Sequence, residues 1–487
     1  MSPQDDDPKV SLSVKVDEGS SPNRIEVRPN RFNVLVVGDF SGRDVGGSGP
    51  DKPLGERAPF QVTSVDDALG QIRPSIKIPV EGVRGGVSIV FRAMADFHPD
   101  QLTERVPHLS AFLASIDSVV ASRTRTPRGS DTGEPRAARL EGLLDEIVEA
   151  TSQAQSRASE IPLEDLKPWI EQMVAPYLVS EESEQQSVLR QRLEDTAQEY
   201  VRAVLHAPAF QAVEGVWRAL FFLAAATEAT PDVRIHVWDV ARSELEADLL
   251  QEDVAESALL RFLTEPLTGA GGNTPFALCV GAYTFGPEPA DVALLNRIAM
   301  VSSVAGVPWL SEASSAFVGL PTFYQQPDPS AWPQTDHDLW TTFRQTFAAR
   351  SVGLVAPRFL LREPYGKHTD PCERLALEEL DGQEPGRYLW GNPAFTCAAA
   401  ITAAFAAHGW ALDPGSHPEL TGCPAHLLAD PRAGAGPAEA VWTVDGAGRI
   451  SDEGIMPLIG FRDETRLRLQ RVSPVANSST FHAWWLT

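Results

Sequence analysis

The second half of the chain alternates short apolar runs with helical patterns, and this alternation constrains the fold more than any other feature. Strands are predicted at residues 233–240, 275–283, 307–310 and 352–361. Helical patterns occupy residues 256–263, 291–305, 339–349 and 394–408. Strands that alternate with helices form βαβ units, and such units place their strands parallel. The sequence therefore predicts an α/β fold with a mixed, largely parallel sheet.

The first half carries a second and shorter α/β pattern. The apolar run Phe32–Gly38 ends in glycine and predicts a buried strand, followed by a helix at 65–72, a strand at 87–93 and a helix that starts at His98. Pro107 should interrupt that last helix. Residues 122–138 read SRTRTPRGSDTGEPRAA, a predicted linker, and residues 139–205 are charged and helical in pattern. We therefore expect two α/β domains, at 1–121 and 206–487, joined by a linker and helical connector at 122–205.

The charge of the chain restricts its partners. Its 487 residues carry a net charge of -25, and the pI is about 4.8. An acidic surface repels phosphate backbones and anionic lipids, so neither nucleic acid nor membrane insertion is expected. No apolar run reaches the roughly 18 residues of a membrane span, and the amino terminus, MSPQDDDPK, is unlike a secretory signal. Four scattered cysteines without a CxxC pair, at 279, 372, 397 and 423, fit a reducing cytoplasm.

A search for catalytic patterns yields only weak candidates. The segment Gly38-Asp-Phe-Ser-Gly-Arg43 follows a strand, but it lacks both the P-loop and the dinucleotide-binding glycine patterns. Asp39 could ligate a metal, as in phosphoesterases, but capping of backbone amides in a turn is the favoured interpretation. His417, Cys423 and His426 form at most half of a metal site. We predict no catalytic, cofactor-binding or metal-binding residues, and an α/β hydrolase using Asp39 and His98 is the least favoured alternative.

Charged residues inside apolar patterns are more informative. Glu214 and Arg218 have the four-residue spacing of a helical ion pair, and they flank Trp217. Arg358 and Arg362 lie on a predicted strand. Tryptophan and arginine are enriched at interface hot spots. Two interpretations stay open: these residues are either partly buried structural pairs or interface anchors.

A series of motifs then follows in order through the second half. It comprises FQAVEGVWRAL at 210–220, SELEAD at 243–248, NTPF at 273–276, PRFLLREPYG at 357–366, WGN at 390–392, FAAHGW at 405–410 and EGIMPL at 453–458. In this order the motifs resemble the large sheath subunit of type VI secretion systems. The resemblance adds Tyr365, Trp390 and Trp410 to the candidate interface or structural anchors.

The first 120 residues are similar to the small sheath subunit of the same systems. The similarity lies in GDFSGR at 38–43, DFHPD at 96–100 and VPHL at 106–109. It implies a fusion of the two subunits, which would make their association intramolecular. It also implies a structural protein that self-assembles into a helical sheath around an inner tube on a baseplate. Contraction of such a sheath drives the tube outward, and a hexameric ATPase then disassembles it.

Two departures from that family bear on polymerisation. Residues 1–30 are acidic where the small subunit is basic, and the large-subunit-like domain ends at 487, without the usual carboxyl-terminal extension. In the family, strands from these regions link neighbouring subunits by β-augmentation. A sheath-derived cap, adaptor or baseplate component that does not polymerise is therefore the second hypothesis. The segment that the ATPase recognises in the family corresponds to residues 139–175.

Overall fold

The structure is a computed structural model of the chain. It describes residues 31–47, 52–79, 86–106, 184–251, 253–265, 274–326, 328–380, 384–413, 419–428, 434–478 and 480–486, with short pieces at 109–110, 113–114 and 382.

One large sheet organises the described residues. It contains nine strands in the order β11-β15-β14-β8-β7-β6-β1-β5-β2. Their bounds are β1 Phe32–Gly38, β2 Phe60–Gln61, β5 Val233–Asp239, β6 Phe276–Phe285, β7 Trp309–Ala313, β8 Val352–Ala356, β11 Glu419–Leu420, β14 Met456–Gly460 and β15 Leu467–Leu469. The six strands from β5 to β14 through β1 are mutually parallel, while β2, β15 and β11 pair antiparallel at the two ends. The predicted α/β class with a mixed, largely parallel sheet is confirmed.

Smaller two-stranded sheets complete the strand inventory of the described residues. They are β3 Ser75–Ile78 with β4 Val87–Val90, β9 Phe359–Leu360 with β10 Trp390–Gly391, and β12 His426–Leu427 with β13 Ala435–Gly436.

Strand β1 lies inside the large sheet, between strands from the other half of the chain. It pairs in parallel with β5 from Phe32 opposite Val233 to Gly38 opposite Asp239, and with β6 on its other side. Every residue of β1 is buried, as the continuous apolar run predicts for a strand covered on both faces. The two predicted domains therefore share one sheet. The boundaries at 121 and 205 stay predictions, because residues 115–183 lie outside the described residues.

Helices cover both faces of the sheet. Their bounds are α1 Val65–Ile72, α2 Pro99–Arg105, α3 Glu184–Leu205, α4 Pro208–Thr227, α5 Arg242–Leu249, α6 Ala258–Thr264, α7 Pro289–Ala305, α8 Asp338–Arg344, α9 Ala394–His408 and α10 Val444–Asp452. Helices α1 to α4 and α9 form one core with Val34 and Val36 of β1. Helices α5 to α8 and α10 form the other with Leu35 and Val37. The alternation along β1 thus sends side chains into both cores.

Local sequence signals set most helix ends. Ser64 and Ser257 cap α1 and α6 by accepting from backbone amides three residues later. Proline opens α2, α4 and α7, where its missing amide costs nothing. Helix α2 ends at Arg105, before Pro107, as predicted. Helix α8 is shorter than predicted and ends at Arg344, and a 3₁₀ turn at Ala348–Ser351 replaces its second half.

Two helices are long and apolar enough to pass a length-and-composition test for membrane spans, contrary to the expectation from the sequence. They are Pro208–Thr227 and Ala394–Ala411. Both contribute buried side chains to the core on the same face of the sheet, among them Trp217, Leu220 and Phe405. Core packing accounts for their apolar composition.

The segment after β15 runs along the amino-terminal ends of the parallel strands. The amide of Val475 donates to Val352 O at 2.8 Å, His482 N to Arg350 O at 2.8 Å, and Trp484 N to Gly306 O at 2.9 Å. The indole of Trp485 donates to Ala277 O at 2.7 Å. Within this part of the structure, the segment ties β8, β7 and β6 together at one edge.

Candidate functional site

Helix α4 positions three of the candidate anchors, Glu214, Trp217 and Arg218. Trp217 is fully buried, its indole donates to Phe40 O at 2.9 Å, and its ring meets the Phe40 ring edge-on at 5.0 Å. The predicted helical ion pair exists, because Arg218 Nε donates to Glu214 Oε1 at 2.6 Å. The Glu214 side chain is 0% exposed, so this pair belongs to the interior and not to a solvated surface.

Arg362 joins this pair to a second buried carboxylate. Its Nε donates to Glu214 Oε1 at 2.8 Å, while its Nη1 and Nη2 donate to Glu379 Oε2 and Oε1 at 2.6 and 3.0 Å. Arg218 Nη2 donates to the Tyr365 hydroxyl at 2.9 Å, and the guanidinium of Arg362 lies 4.1 Å from the centre of the Tyr365 ring. We call Glu214, Arg218, Arg362, Tyr365 and Glu379 the arginine network. Because each buried charge has partners, the network avoids the cost of an isolated ion.

The electrostatics of the arginine network favour its charged form. Burial raises the carboxyl pKa of Glu379, but the nearby His206 imidazole and the Arg362 guanidinium outweigh it and bring this pKa down to about 2. Burial opposes the charge of Arg362, yet Glu214, Tyr365 and Glu379 raise its pKa well above the ordinary value. Burial also raises the pKa of the Tyr365 hydroxyl, which therefore stays protonated.

The arginine network holds the loop between Tyr365 and Glu379, and residues from the first half of the chain contact the same loop. The amide of Tyr365 donates to Glu379 Oε2 at 2.7 Å, which closes the loop between them. Asp100 accepts from the amides of Glu373 at 3.1 Å and Arg374 at 3.4 Å, and the His98 ring meets Tyr365 edge-on at 5.0 Å. The DFHPD segment therefore caps a loop of the second half.

Asp39 caps the turn after β1, as the favoured interpretation predicted. Its Oδ1 and Oδ2 accept from the amides of Arg43 and Asp44, both at 2.8 Å. Burial raises the pKa of Asp39, although the two amide contacts act against this. The other enzymatic candidate, His98, accepts from Asp100 N at 3.2 Å and caps α2. Both groups thus make local structural contacts.

Beside this turn, a second cluster of charged residues joins the first half of the chain to the second half. Arg43 Nη1 donates to Asp239 Oδ2 at 2.9 Å, and Arg57 Nη1 donates to Asp239 O at 2.7 Å. Both guanidiniums also contact the Glu244 carboxylate. These bonds fix the carboxyl ends of β1 and β5, which is where α/β sheets commonly bind ligands.

Arg358, Trp390 and Trp410 lie apart from the arginine network. Arg358 forms a two-pronged ion pair with the buried Glu439, with N–O distances of 2.9 and 3.0 Å, and lies 5.9 Å from the centre of the Trp390 ring. Trp410 stacks on Phe32 at 5.5 Å and meets Trp484 at 4.9 Å. Whether Asp39 or any of the eight candidate anchors contacts a partner stays a prediction.

The structure adds partners that sequence reasoning missed. Adjacent residues such as Glu378 and Glu379 point in different directions on a helix, so the sequence assigns Glu379 no role, and it gives none to Asp239, Glu244 or Glu439. Each of these carboxylates lies at least 17 residues along the chain from the arginine it binds, so no helical spacing signals the pair. Among the described residues, no group of His, Cys, Asp and Glu could hold a metal ion, and His417 lies outside them.

One cavity of about 860 Å³ lies beside the Arg358–Glu439 pair. It is lined by residues that include Tyr324, Trp332, Glu439 and Arg449. Arg449 donates to the carbonyls of Pro329, Trp332 and Pro333. Neither Asp39 nor His98 lines this cavity, so the cavity does not bring together the two residues of the hydrolase alternative.

Comparisons with known proteins match both halves of the chain. The family model described as EvpB/VC_A0108, tail sheath N-terminal domain, matches residues 188–469, more than half of the chain. The model described as Type VI secretion system, VipA, VC_A0107 or Hcp2, matches residues 4–156. The type VI secretion system sheath protein TssC1 of Pseudomonas aeruginosa is 30% identical over 275 residues, which cover 53% of this chain and 55% of that protein. The chain thus spans about half the length of this relative.

Proposed function

This chain belongs to the tail sheath family of type VI secretion systems, and from that premise we propose that it is a structural subunit of a contractile sheath. In this proposal one polypeptide supplies both the small and the large sheath subunit. Copies associate into a helical tube around an inner tube, and contraction of the helix ejects the inner tube.

The observation that carries the proposal is the order of the two family matches on one chain, at 4–156 and 188–469. The position of β1 supports it, because β1 pairs with β5 on one side and β6 on the other. A strand in the middle of a sheet is part of the protomer's core. The fused halves therefore act as one mechanical unit.

The candidate anchors fit a role inside the protomer. A sheath subunit must keep its shape while the contacts between subunits rearrange. The arginine network clamps α4 to the loop from Tyr365 to Glu379, and Asp100 holds that loop to the first half. We infer that these residues make the protomer rigid and that contraction changes the contacts between protomers.

The proposed partners are further copies of the chain, the inner tube protein, baseplate proteins and a hexameric ATPase that disassembles the contracted sheath. The proposed location is the cytoplasm. The expected ATPase segment at 139–175 lies outside the described residues. We infer no catalytic activity, since Asp39 and His98 are engaged in capping.

The second candidate is a sheath-derived cap, adaptor or baseplate component that does not polymerise. The contacts described for the candidate anchors lie within one protomer, and such contacts suit this candidate as well. A component of this kind would have the same rigid protomer but would not self-assemble.

Negative-stain electron microscopy of the purified full chain, alone and with the cognate inner tube protein, separates the two. Hollow tubes with a helical surface support the sheath subunit. Discrete monomers or small rings in both samples contradict it and favour the cap or adaptor.

A further inference from the structure

A small polar cleft lies apart from the arginine network and the other candidate anchors. It occupies about 290 Å³ between the end of α8, the end of α10 and the segment that follows β15. The side chains that line it include Arg344, Ser451, Arg471, Ser473, Asn477 and Ser478. Two guanidiniums with three hydroxyls and an amide are the donors that recognise an oxyanion.

Arg344 is held in place by neutral oxygens only. Its Nε donates to Val475 O at 2.9 Å, its Nη1 to Asp452 O at 2.8 Å, and its Nη2 to Asn477 Oδ1 at 3.1 Å. Within the part of the chain that the structure describes, no carboxylate lies at ion-pair distance from it. Burial lowers the pKa of Arg344, while Glu453 and Asp452 act on it from further away in the opposite sense.

This arrangement differs from that of Arg358 and Arg362. Arg358 contacts a carboxylate through two nitrogens and Arg362 contacts carboxylates through three, so their charge is matched within the protomer. Arg344 is also fixed by three hydrogen bonds, but these go to neutral oxygens, so no carboxylate of the described residues contacts its guanidinium at the cleft.

The backbone beside Arg344 is shaped for close approach. Gly454 has a φ of 77°, and a Cβ there would lie 2.7 Å from Arg344 Nε and 2.5 Å from Val475 O. Only glycine allows this contact without a shift of the backbone. The cleft is therefore a built feature and not a gap between loose side chains.

We propose that this cleft binds the carboxylate of an acidic side chain from a second copy of the chain. The identity of the partner rests on the proposed function, but the oxyanion site does not. At a net charge of -25 the copies repel each other, and contacts that set acidic groups of one copy against arginines of another offset this repulsion. An apolar neighbour, Phe347, is 59% exposed, and its ring lies 5.1 Å from that of His482, which follows the cleft segment in the chain.

The first experiment tests the site without any assembly. The melting temperature of the full chain is measured against inorganic phosphate, with chloride balancing the ionic strength, because a ligand that binds the native state raises it. The variants are Arg471→Gln and Arg471→Lys, since Arg471 is exposed at the cleft. Arg462→Gln, an exposed arginine on the preceding hairpin, is the control.

We expect phosphate to stabilise the wild type and the Arg462→Gln variant alike. Loss of one charge-assisted contact should weaken phosphate binding about tenfold or more in Arg471→Gln. The lysine variant should retain much of it. No phosphate effect beyond the chloride control, or an equal effect in Arg471→Gln, overturns the site.

The second experiment tests the occupant. Sedimentation of assemblies is compared for Arg471→Glu and the charge-matched Arg462→Glu. Weaker assembly of Arg471→Glu alone, together with inhibition of wild-type assembly by phosphate, supports a carboxylate from a second copy. Equal assembly of both variants overturns that occupant. If the wild type does not assemble at all, the proposed function fails and this occupant falls with it, but the phosphate result still decides the site.

Discussion

Replacing Glu379 by glutamine tests whether the arginine network stabilises the protomer. The substitution keeps the shape of the side chain but removes a buried negative charge. It leaves Arg362 with Glu214 as its remaining carboxylate, and it weakens the bond from Tyr365 N that closes the loop. Removing one partner of a buried ion pair typically costs about 3–5 kcal/mol.

The depressed pKa of Glu379 gives a second route to the magnitude. The carboxyl pKa falls from 4.5 to about 2 on folding, which corresponds to about 3 kcal/mol of stability at neutral pH. Because the folded pKa is the lower one, this stability is present above pH 4.5 and is lost as the pH falls towards 2. Both routes therefore predict a loss of about 3 kcal/mol in Glu379→Gln at pH 7.

Urea unfolding of the full chain, followed by fluorescence at pH 7 and at lower pH, measures this loss. The matched control is Glu378→Gln, since Glu378 is exposed and its carboxylate accepts from Lys367 N at 3.1 Å. We expect the control to stay within about 0.5 kcal/mol of wild type. The reasoning is refuted if the two variants unfold at the same urea concentration, or if Glu379→Gln keeps the wild-type loss of stability below pH 4.5.

Three further predictions concern other parts of the fold. Gly281→Ala should destabilise the chain by about 1–3 kcal/mol, because a Cβ there would lie 2.2 Å from Trp309, whereas Gly448→Ala, with open space around it, should not lower the melting temperature. Trp410→Ala should cost about 3 kcal/mol in urea unfolding by opening the aromatic cluster around Phe32, and an unchanged midpoint would contradict this. Burial raises the pKa of Glu312 from 4.5 to about 7, so the free energy of unfolding of the wild type should fall as the pH rises from 4.5 to 7. Glu312→Gln should remove that dependence on pH. An equal dependence in both proteins would exclude Glu312 as its cause.

Elements with strong local signals were predictable from the sequence. The run Phe32–Gly38 forms a strand because it is apolar and ends in glycine, and α2 ends before Pro107 because proline cannot continue it. The place of β1 between β5 and β6 was not predictable, since it depends on pairing with residues more than two hundred positions away. Nothing in the sequence of β1 distinguishes a central strand of one shared sheet from the core of a separate domain.

The candidate site residues also divide into a pair that the sequence predicts and contacts that it does not. Glu214 and Arg218 were predictable as a pair because four-residue spacing places them on one face of a helix. Their link to Arg362 and Glu379 was not, because it joins α4 to a loop about 150 residues later. Glu378 and Glu379 are adjacent and chemically identical, yet Glu379 is buried in the arginine network and Glu378 is exposed. The sequence alone does not distinguish them.

The central position of β1 has a consequence for how the chain is made. β1 emerges from the ribosome about two hundred residues before β5, which is a wait of roughly 10–40 s at ordinary rates of translation. During that time a largely apolar strand has neither of its neighbours, and its backbone groups are unpaired along both edges. A fused gene keeps this nascent strand tethered to the segments that later pair with it. The order of synthesis, as much as stoichiometry, therefore distinguishes one polypeptide from two.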